Sequence, residues 1–309
     1  MTAEPELDLA ADATAGPDLA GLHGQAVVDG LVGLLDLEPI ETDIFRGVSP
    51  KVALQRVFGG QVAGQALVAA GRTVDADRLV HSLHSYFIRP GDPSVPIIYT
   101  VERIRDGRSF SVRRVLAIQH GKPIFTLSAS FQLPQGGIDH QSEMPRVPPP
   151  DSLPTLTERY EGFEDLWSVM RQIPQAFDVR YVDDPPWIQR GLGPREGQPH
   201  RIWLKADGKL PDDPLLHVCV VTFASDMNLL DSVLIHHGLS ARLDPISTAS
   251  LDHAMWFHRP FRADDWFLYE SSSPSASGGR GLATGKFYAR DGRLVASVAQ
   301  EGMIRLPNA

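Results

Sequence analysis

Three polar side chains in the second half of the chain could form a joint site, in which a hydroxyl and an amide are partners of a carboxylate. Asp226 lies in a segment that we predict to open a buried helix, Ser250 lies on a predicted strand, and Gln300 ends another. A carboxylate in the first turn of a helix is stabilised as the anion by the helix dipole and the free amides. Simpler roles stay open here: Asp226 could be a helix cap, and the other two ordinary hydrogen-bonding groups.

The common catalytic signatures are absent from the sequence. It contains no Gly-x-Ser-x-Gly elbow, no Gly-Lys-Ser/Thr phosphate loop, no Gly-x-Gly-x-x-Gly and no His-Glu-x-x-His. The four histidines between positions 236 and 258 share no spacing typical of metal ligands, so we expect no metal. Cys219 lies in a strand-like apolar run and is predicted to be a core residue rather than a nucleophile. No cofactor is expected.

The elements that must position these residues occur twice along the chain. Residues 58–61 open a helix of small and apolar residues, and residues 223–226 are predicted to open its counterpart. Residues 86–90, which end a predicted strand, recur as residues 256–260. In the first copy the β-prone runs and the turn signals between them predict strands over 79–88, 96–104, 109–119 and 124–132. We interpret this order as an internal duplication of one helix followed by an antiparallel meander.

The composition along the chain predicts four segments. They are a disordered acidic tail over residues 1–24, a first module over 25–133, a Pro-rich linker with a short helix over 134–195, and a second module with the candidate catalytic residues over 196–309. Within them, residues 27–37 have the spacing of an amphipathic helix, and residues 156–171 are helix-like. The six prolines between 134 and 154 are typical of an extended linker.

The net charge of −9 comes from one end of the chain. The first 45 residues hold ten acids and no Lys or Arg, so the remainder is nearly neutral. The sequence therefore has no basic patch typical of nucleic-acid binding, and its longest apolar run is too short to insert into a membrane. A single cysteine is typical of a reducing compartment, which predicts the cytoplasm.

Six sequence motifs resemble those of a known family, the acyl-CoA thioesterase II (TesB-type) family. They are RVFGGQV at 56–62, HSLHSYF at 81–87, RPG at 89–91, ASD at 224–226, LDHAMWFHRPF at 251–261 and QEG at 300–302. The resemblance covers residues 27 to about 305. It implies an α+β fold, the double hotdog, in which two modules each wrap a long helix in an antiparallel sheet and the two sheets join edge to edge.

The resemblance also implies a reaction and a site. The reaction is the hydrolysis of fatty acyl-CoA to free fatty acid and CoA, a step of lipid metabolism. The implied catalytic residues are an Asp, a Thr or Ser and a Gln that orient one water, and these correspond to Asp226, Ser250 and Gln300. Thioesters need modest activation because a thiol is a good leaving group. The family suggests homodimers or homotetramers.

The reaction also needs contacts to the oxyanion and to the substrate. We expect Gly60 and Gln61, at a helix start, to offer backbone amides to the oxyanion, and His84 to lie at the substrate. Two alternative functions remain open. A hotdog hydratase or dehydratase would pair Asp226 with His253 or His84, and a non-catalytic module would bind acyl-CoA without cleaving it.

Overall fold

The computed structural model describes residues 16–19, 22–51, 55–171 and 173–307. Most of the tail predicted as disordered, residues 1–15 and 20–21, lies outside these described residues. The part that is described packs on the fold. Leu19 is only 4% exposed, and its side chain covers Gly30. The packed chain therefore extends N-terminal to residue 25, where the sequence analysis placed the start of the first module.

The first half has the predicted helices and meander. Its elements are β1 (Glu38–Glu41), β2 (Ile44–Gly47), β3 (Leu79–Phe87), β4 (Ile97–Asp106), β5 (Phe110–Gln119) and β6 (Lys122–Gln132), with α1 (Gln25–Leu35) and α2 (Gly59–Gly71). The helix expected over 27–37 and the four expected strands are confirmed as α1 and β3 to β6. Helix α2 is buried along almost its whole length, because its small side chains let the sheet and the neighbouring helices approach closely.

The segment predicted as a linker is more structured than its prolines indicate. Its elements are α3 (Leu156–Arg159), α4 (Glu164–Met170), β7 (Phe177–Tyr181) and α5 (Pro186–Leu192). The expected helix over 156–171 is thus divided at Gly162, which has a positive φ. Strand β7 joins the sheet of the second half, which therefore begins before residue 196. The Pro-rich part crosses the outer face of that sheet, where Trp203 Nε1 donates to Pro148 O at 2.9 Å.

The second half repeats the architecture of the first. Its remaining elements are β8 (His200–Ala206), α6 (Pro214–Ser225), α7 (Asp231–His236), β9 (Ser247–Ser250), β10 (Asp252–Phe257), β11 (Phe267–Ser277), β12 (Arg280–Ala289) and β13 (Leu294–Arg305). The run around Cys219 is helical, so the strand-like interpretation was wrong. Cys219 is fully buried and its pKa is raised by burial, as for a core residue.

All strands within the described residues belong to one antiparallel sheet. The order is β1-β2-β4-β5-β6-β3-β10-β13-β12-β11-β8-β7, with β9 added beside β13. The halves meet where β3 pairs with β10, with Met255 opposite Leu83. This is the α+β double hotdog, with α2 and α6 packed together in the concave face. No helix in the described part of the chain is long and apolar enough to span a membrane.

Helices α2 and α6 run antiparallel and touch through small residues. A Cβ atom at Gly60 would lie 2.2 Å from Phe223 O, and one at Gly64 would lie 3.2 Å from Cys219 O. Glycine at these positions lets the two backbones approach closely. The start of α2 therefore lies against the end of α6, and this junction is where the candidate catalytic residues meet.

Candidate active site

Asp226 lies at the end of a helix and not at the start of one. Residues 223–226 were predicted to open the second buried helix, but α6 ends at Ser225 and Asp226 is its C-cap. The prediction was wrong because the apolar pattern does not show whether a polar residue such as Asp226 begins or ends the neighbouring helix. Here the apolar run over 215–224 precedes Asp226 and forms the helix. A carboxylate at a helix C-terminus is disfavoured by that helix's dipole, so another group must stabilise it.

The stabilising group is the start of the other central helix. The backbone amide of Gly60, at the second position of α2, forms a hydrogen bond with the Asp226 carboxylate. The N-cap of α2, Phe58, has no polar side chain, so Asp226 supplies the cap from the opposite half of the molecule. Gly59 makes room for it, since a Cβ there would lie 2.5 Å from Asp226 Oδ2.

Ser250 and Gln300 lie on neighbouring strands and both contact Asp226. Ser250 Oγ donates to Asp226 Oδ1 at 3.0 Å, and Gln300 Nε2 donates to the same oxygen at 2.9 Å. Gln300 Nε2 also donates to Ser250 Oγ at 2.8 Å. Strand β9 makes this possible because it adds to β13 with Ser250 opposite Gly302. The structure therefore brings together all three residues singled out in the sequence.

The cluster leaves one carboxylate oxygen less occupied than the other. Oδ1 accepts from both Ser250 and Gln300, whereas Oδ2 lies over Gly59 at the start of α2. Burial raises the pKa of Asp226 above its usual value, and the donors from Gln300, Ser250 and Gly60 lower it in part. The raised pKa makes the carboxylate a better proton acceptor than a surface aspartate.

His253 is a buried residue that contacts Gln300 on the side away from Asp226. It is 1% exposed, its Nδ1 lies against Gln300 Oε1, and its Nε2 lies 2.8 Å from Ser225 Oγ. Burial lowers the pKa of His253, so the ring is neutral. Sequence reasoning considered this residue as a metal ligand, which it rejected, and as the partner of Asp226 in a hydratase. The signal that could have placed it is its alternation with Met255 on one strand, which turns both side chains inward.

The side chains of the other two residues expected at the site, Gln61 and His84, do not face Asp226. The Gln61 side chain turns away from the cluster, because its Nε2 donates to Val48 O and to Ser49 Oγ at 3.1 and 3.0 Å. His84 lies on the outer face of β3 with its ring 5.3 Å from that of Trp256, so it does not face Asp226. Of Gly60, Gln61 and His84, only Gly60 contacts the Asp226 cluster.

Apolar side chains surround the junction of α2 and α6. The rings of Phe58 and Phe223 meet edge to face at 5.0 Å, and Phe87 lies close to Gly59. An acyl chain could lie against such a surface, since aromatic side chains supply large apolar area. Among the described residues, no group of three or more His, Cys, Asp or Glu side chains is placed to hold a metal ion.

Comparison with known proteins agrees with this geometry. A family model described as acyl-CoA thioesterase matches residues 172–303, and one described as acyl-CoA thioesterase N-terminal domain matches residues 48–132. The chain is 43% identical to mouse acyl-coenzyme A thioesterase 8 over 96% of its own length and 95% of the mouse protein. The chain belongs to the acyl-CoA thioesterase II family.

Bacterial relatives share the whole architecture with this thioesterase. It is 38% identical to acyl-CoA thioesterase 2 of Haemophilus influenzae over 90% of this chain and 98% of that protein. The solved structure of an acyl-CoA thioesterase II, TesB2, from Mycobacterium marinum matches with a TM-score of 0.74 and 47% identity, covering 89% of this chain and 98% of that one. Family and fold are those that the sequence motifs implied.

Neither alternative function is favoured for this thioesterase. A hydratase would need an imidazole facing substrate beside Asp226, but both ring nitrogens of His253 are engaged by protein groups and His84 faces the opposite side of the sheet. A module that only binds acyl-CoA would not need a buried carboxylate with a raised pKa. Relatives that share most of the chain carry the name thioesterase.

Proposed function

We propose that the protein hydrolyses fatty acyl-CoA to free fatty acid and CoA with a water activated by Asp226, Ser250 and Gln300. The observation that carries the proposal is the cluster in which Ser250 and Gln300 both donate to one oxygen of a buried carboxylate. Family membership supports the reaction, and the names of the relatives support acyl-CoA as the substrate class.

The proposed chemistry begins at the carboxylate oxygen that Ser250 and Gln300 do not contact. Asp226 Oδ2 takes a proton from the water while the water oxygen bonds to the thioester carbonyl carbon. Ser250 and Gln300, fixed against Oδ1, hold the carboxylate and the water in line with that carbon. The carbon–sulfur bond of the tetrahedral intermediate then breaks, CoA leaves as the thiolate, and the thiolate is protonated by Asp226 or by solvent.

Backbone amides at the start of α2 are our candidates for binding the oxyanion. The first amides of a helix lack intrahelical partners, and the helix dipole favours negative charge beside them. Of the two residues expected from the sequence, Gly60 has its amide engaged by Asp226, which leaves the amide of Gln61 as our candidate oxyanion donor. In this proposal Gln61 acts through its backbone, while its side chain anchors the loop before α2.

The test is release of CoA thiol from palmitoyl-CoA, followed with a thiol-reactive dye. We expect Asp226→Asn and Gln300→Ala to fold and to lose about 10²- to 10⁴-fold in kcat, since general-base catalysis typically contributes that much. Gln132→Ala is the matched control: Gln132 ends β6 in the first half, away from the cluster, and its loss should leave turnover unchanged.

Three results would contradict the proposal. Undiminished thiol release by folded Asp226→Asn would show that another group activates the water. Conversion of an enoyl-CoA to a hydrated thioester, with no thiol released, would identify a hydratase instead. Binding of CoA without either product would identify the non-catalytic module.

We also propose a compartment and an assembly. The one cysteine is buried in α6, which agrees with a reducing compartment such as the cytoplasm. Exposed Tyr86 and Trp256 lie on the outer face of the central strands, and their apolar rings suit the association of copies of this chain as dimers or tetramers. Light scattering on the purified protein, with Tyr86→Ser as the interface variant, measures this directly; a monomer would exclude it.

A further inference from the structure

We propose that His253 is a positioning residue, which orients the carboxamide of Gln300 so that its NH2 group faces Asp226 and Ser250. The inference rests on the proposed role of Gln300 in water activation. His253 itself does not touch the reacting atoms, because its ring lies on the far side of Gln300 from the carboxylate.

The orientation follows from the donors and acceptors that surround the amide. An ionised carboxylate only accepts hydrogen bonds, so Gln300 must turn its nitrogen toward Asp226. Its oxygen then faces Nδ1 of His253 and needs a donor there. A neutral imidazole protonated on Nδ1 supplies that donor, whereas the other tautomer would present a lone pair to the oxygen. The flipped amide would place its oxygen against the carboxylate, which is repulsive.

Ser225 fixes the ring from its other side. Its hydroxyl lies 2.8 Å from Nε2 of His253 and 2.8 Å from Thr222 O, so these two acceptors compete for its one hydrogen. The Nδ1 proton that Gln300 requires goes together with donation of this hydrogen to Nε2. Ser225 is the last residue of α6 and directly precedes Asp226, so the ring is held by the same helix end that carries the carboxylate. The charged groups that act on the ring are Asp226 and Asp252, and the Tyr269 hydroxyl binds Ser225 O at 3.1 Å.

The first half of the molecule shows that the fold does not require this polar pair. The motif at 81–90 corresponds to the one at 251–260, so Leu83 takes the place of His253. Leu83 lies opposite Ala129, and both are buried. In the second half Ala254 lies opposite Ala299, so His253 lies beside Gln300 just as Leu83 lies beside Ala129 in the first half. An apolar pair thus fills the repeat-related site, and the polar pair occurs only beside the catalytic carboxylate.

A double-mutant cycle between His253 and Gln300 tests the proposal. His253→Leu removes the Nδ1 donor, so the hydrogen bond from Gln300 to the charged Asp226 is no longer held in place. We expect a loss of about 10- to 100-fold in kcat with little change in KM. His253→Asn keeps a donor near the position of Nδ1 at similar side-chain size and should retain most of the turnover. In the Gln300→Ala background, His253→Leu should cost nothing further, because its effect acts through Gln300.

The outcomes separate this proposal from the one on which it rests. If Gln300→Ala is inactive but His253→Leu is fully active, or if the two losses multiply, the positioning role is wrong and the water-activation proposal stands. If Gln300→Ala is fully active, both proposals fail. Equal losses in His253→Leu and His253→Asn, with unchanged melting temperatures, would also overturn the positioning role. Should His253→Leu not fold, His253→Ala takes its place in the cycle.

Discussion

The two ends of the central helix pair are related by the internal duplication but differ in chemistry. At one end the start of α2 has no cap of its own and receives the carboxylate of Asp226 from the other half. At the other end the start of α6 is capped by its own Asp213, which accepts from Leu215 N at 2.9 Å. Pro214, the first residue of α6, has no amide hydrogen to donate. The start of α2 thus receives an anion from the other half of the molecule, whereas the start of α6 receives one from the residue directly before it.

The strands show the same difference. A groove of about 700 Å³ lies at the second end, lined by the end of α2, the start of α6 and the first residues of β3. By correspondence of the motifs and of the strand register, this end has Val80 and Ala129 where the first has Ser250 and Gln300. The duplication therefore places the same elements at both ends, and in our proposal a few replacements decide which end can activate water.

The comparison predicts that a glycine-to-alanine substitution lowers activity at the start of α2 and has little effect at its end. In Gly60→Ala the new Cβ would lie 2.2 Å from the backbone oxygen of Phe223, so the helices must separate. Because misplacing reacting groups by about 1 Å costs about 10²-fold in rate, we expect a loss of that size in kcat/KM. In Gly71→Ala the nearest atoms belong to the Leu215 side chain, which can turn into the groove. Its activity should change little.

Gly33→Ala is the control for a helical glycine as such. Its Cβ would have no neighbour within 4 Å, and alanine is the better helix former by up to about 1 kcal/mol. Thiol release and the melting temperature, measured for all three variants, check the prediction. If Gly60→Ala retained full activity, close contact between α2 and α6 would not be what places Asp226.

The second prediction concerns stability at the far end of α2. Arg113 is buried there and donates to Thr73 O at 2.9 Å, to Thr73 Oγ1 at 2.8 Å and to Asp106 at 2.7 Å. A cation suits a helix C-terminus, in contrast to the anion at the end of α6. Arg113→Met leaves these acceptors without their donor, and we expect the free energy of unfolding to fall by about 1–3 kcal/mol.

Arg114→Met is the matched control, since Arg114 and its partner Glu102 are both exposed and such pairs contribute little. Urea unfolding gives the stabilities, and kcat per folded molecule should be unchanged in both variants. A loss of turnover by folded Arg113→Met would show that the far end of α2 affects the catalytic end.

The sequence predicted features that depend on local interactions better than features that depend on residues distant in the chain. Turn signals and β-prone runs are local, so strands β3 to β6 were predicted closely. The partner of Asp226 is the start of α2, distant in sequence, and no local pattern indicates how two buried helices pack. His84 was misplaced although the alternation of buried Leu83 and Ser85 already turns it outward. Ser250 and Gln300 became specific candidates only through the family motifs.

The smallest predicted effect is a shift in pH dependence at the catalytic end. Asp226 accepts a proton only when ionised, and burial raises its pKa, so kcat/KM should fall about tenfold per pH unit below that raised pKa. The Ser250 hydroxyl stabilises the ionised form and lowers the pKa. Ser250→Ala should therefore move the acidic limb of the profile to higher pH, by less than about one unit.

His253 does not add a second limb in that range, because burial lowers its pKa and keeps the ring neutral. Ser297→Ala is the control, since Ser297 lies on the same strand as Gln300 but contacts His258 on the other face. A shift to lower pH in Ser250→Ala, or an equal shift in Ser297→Ala, would mean that the acidic limb reports another group. A shift to higher pH in Ser250→Ala alone would locate the titrating carboxylate at the one end of the helix pair where Asp226 meets a free helix start.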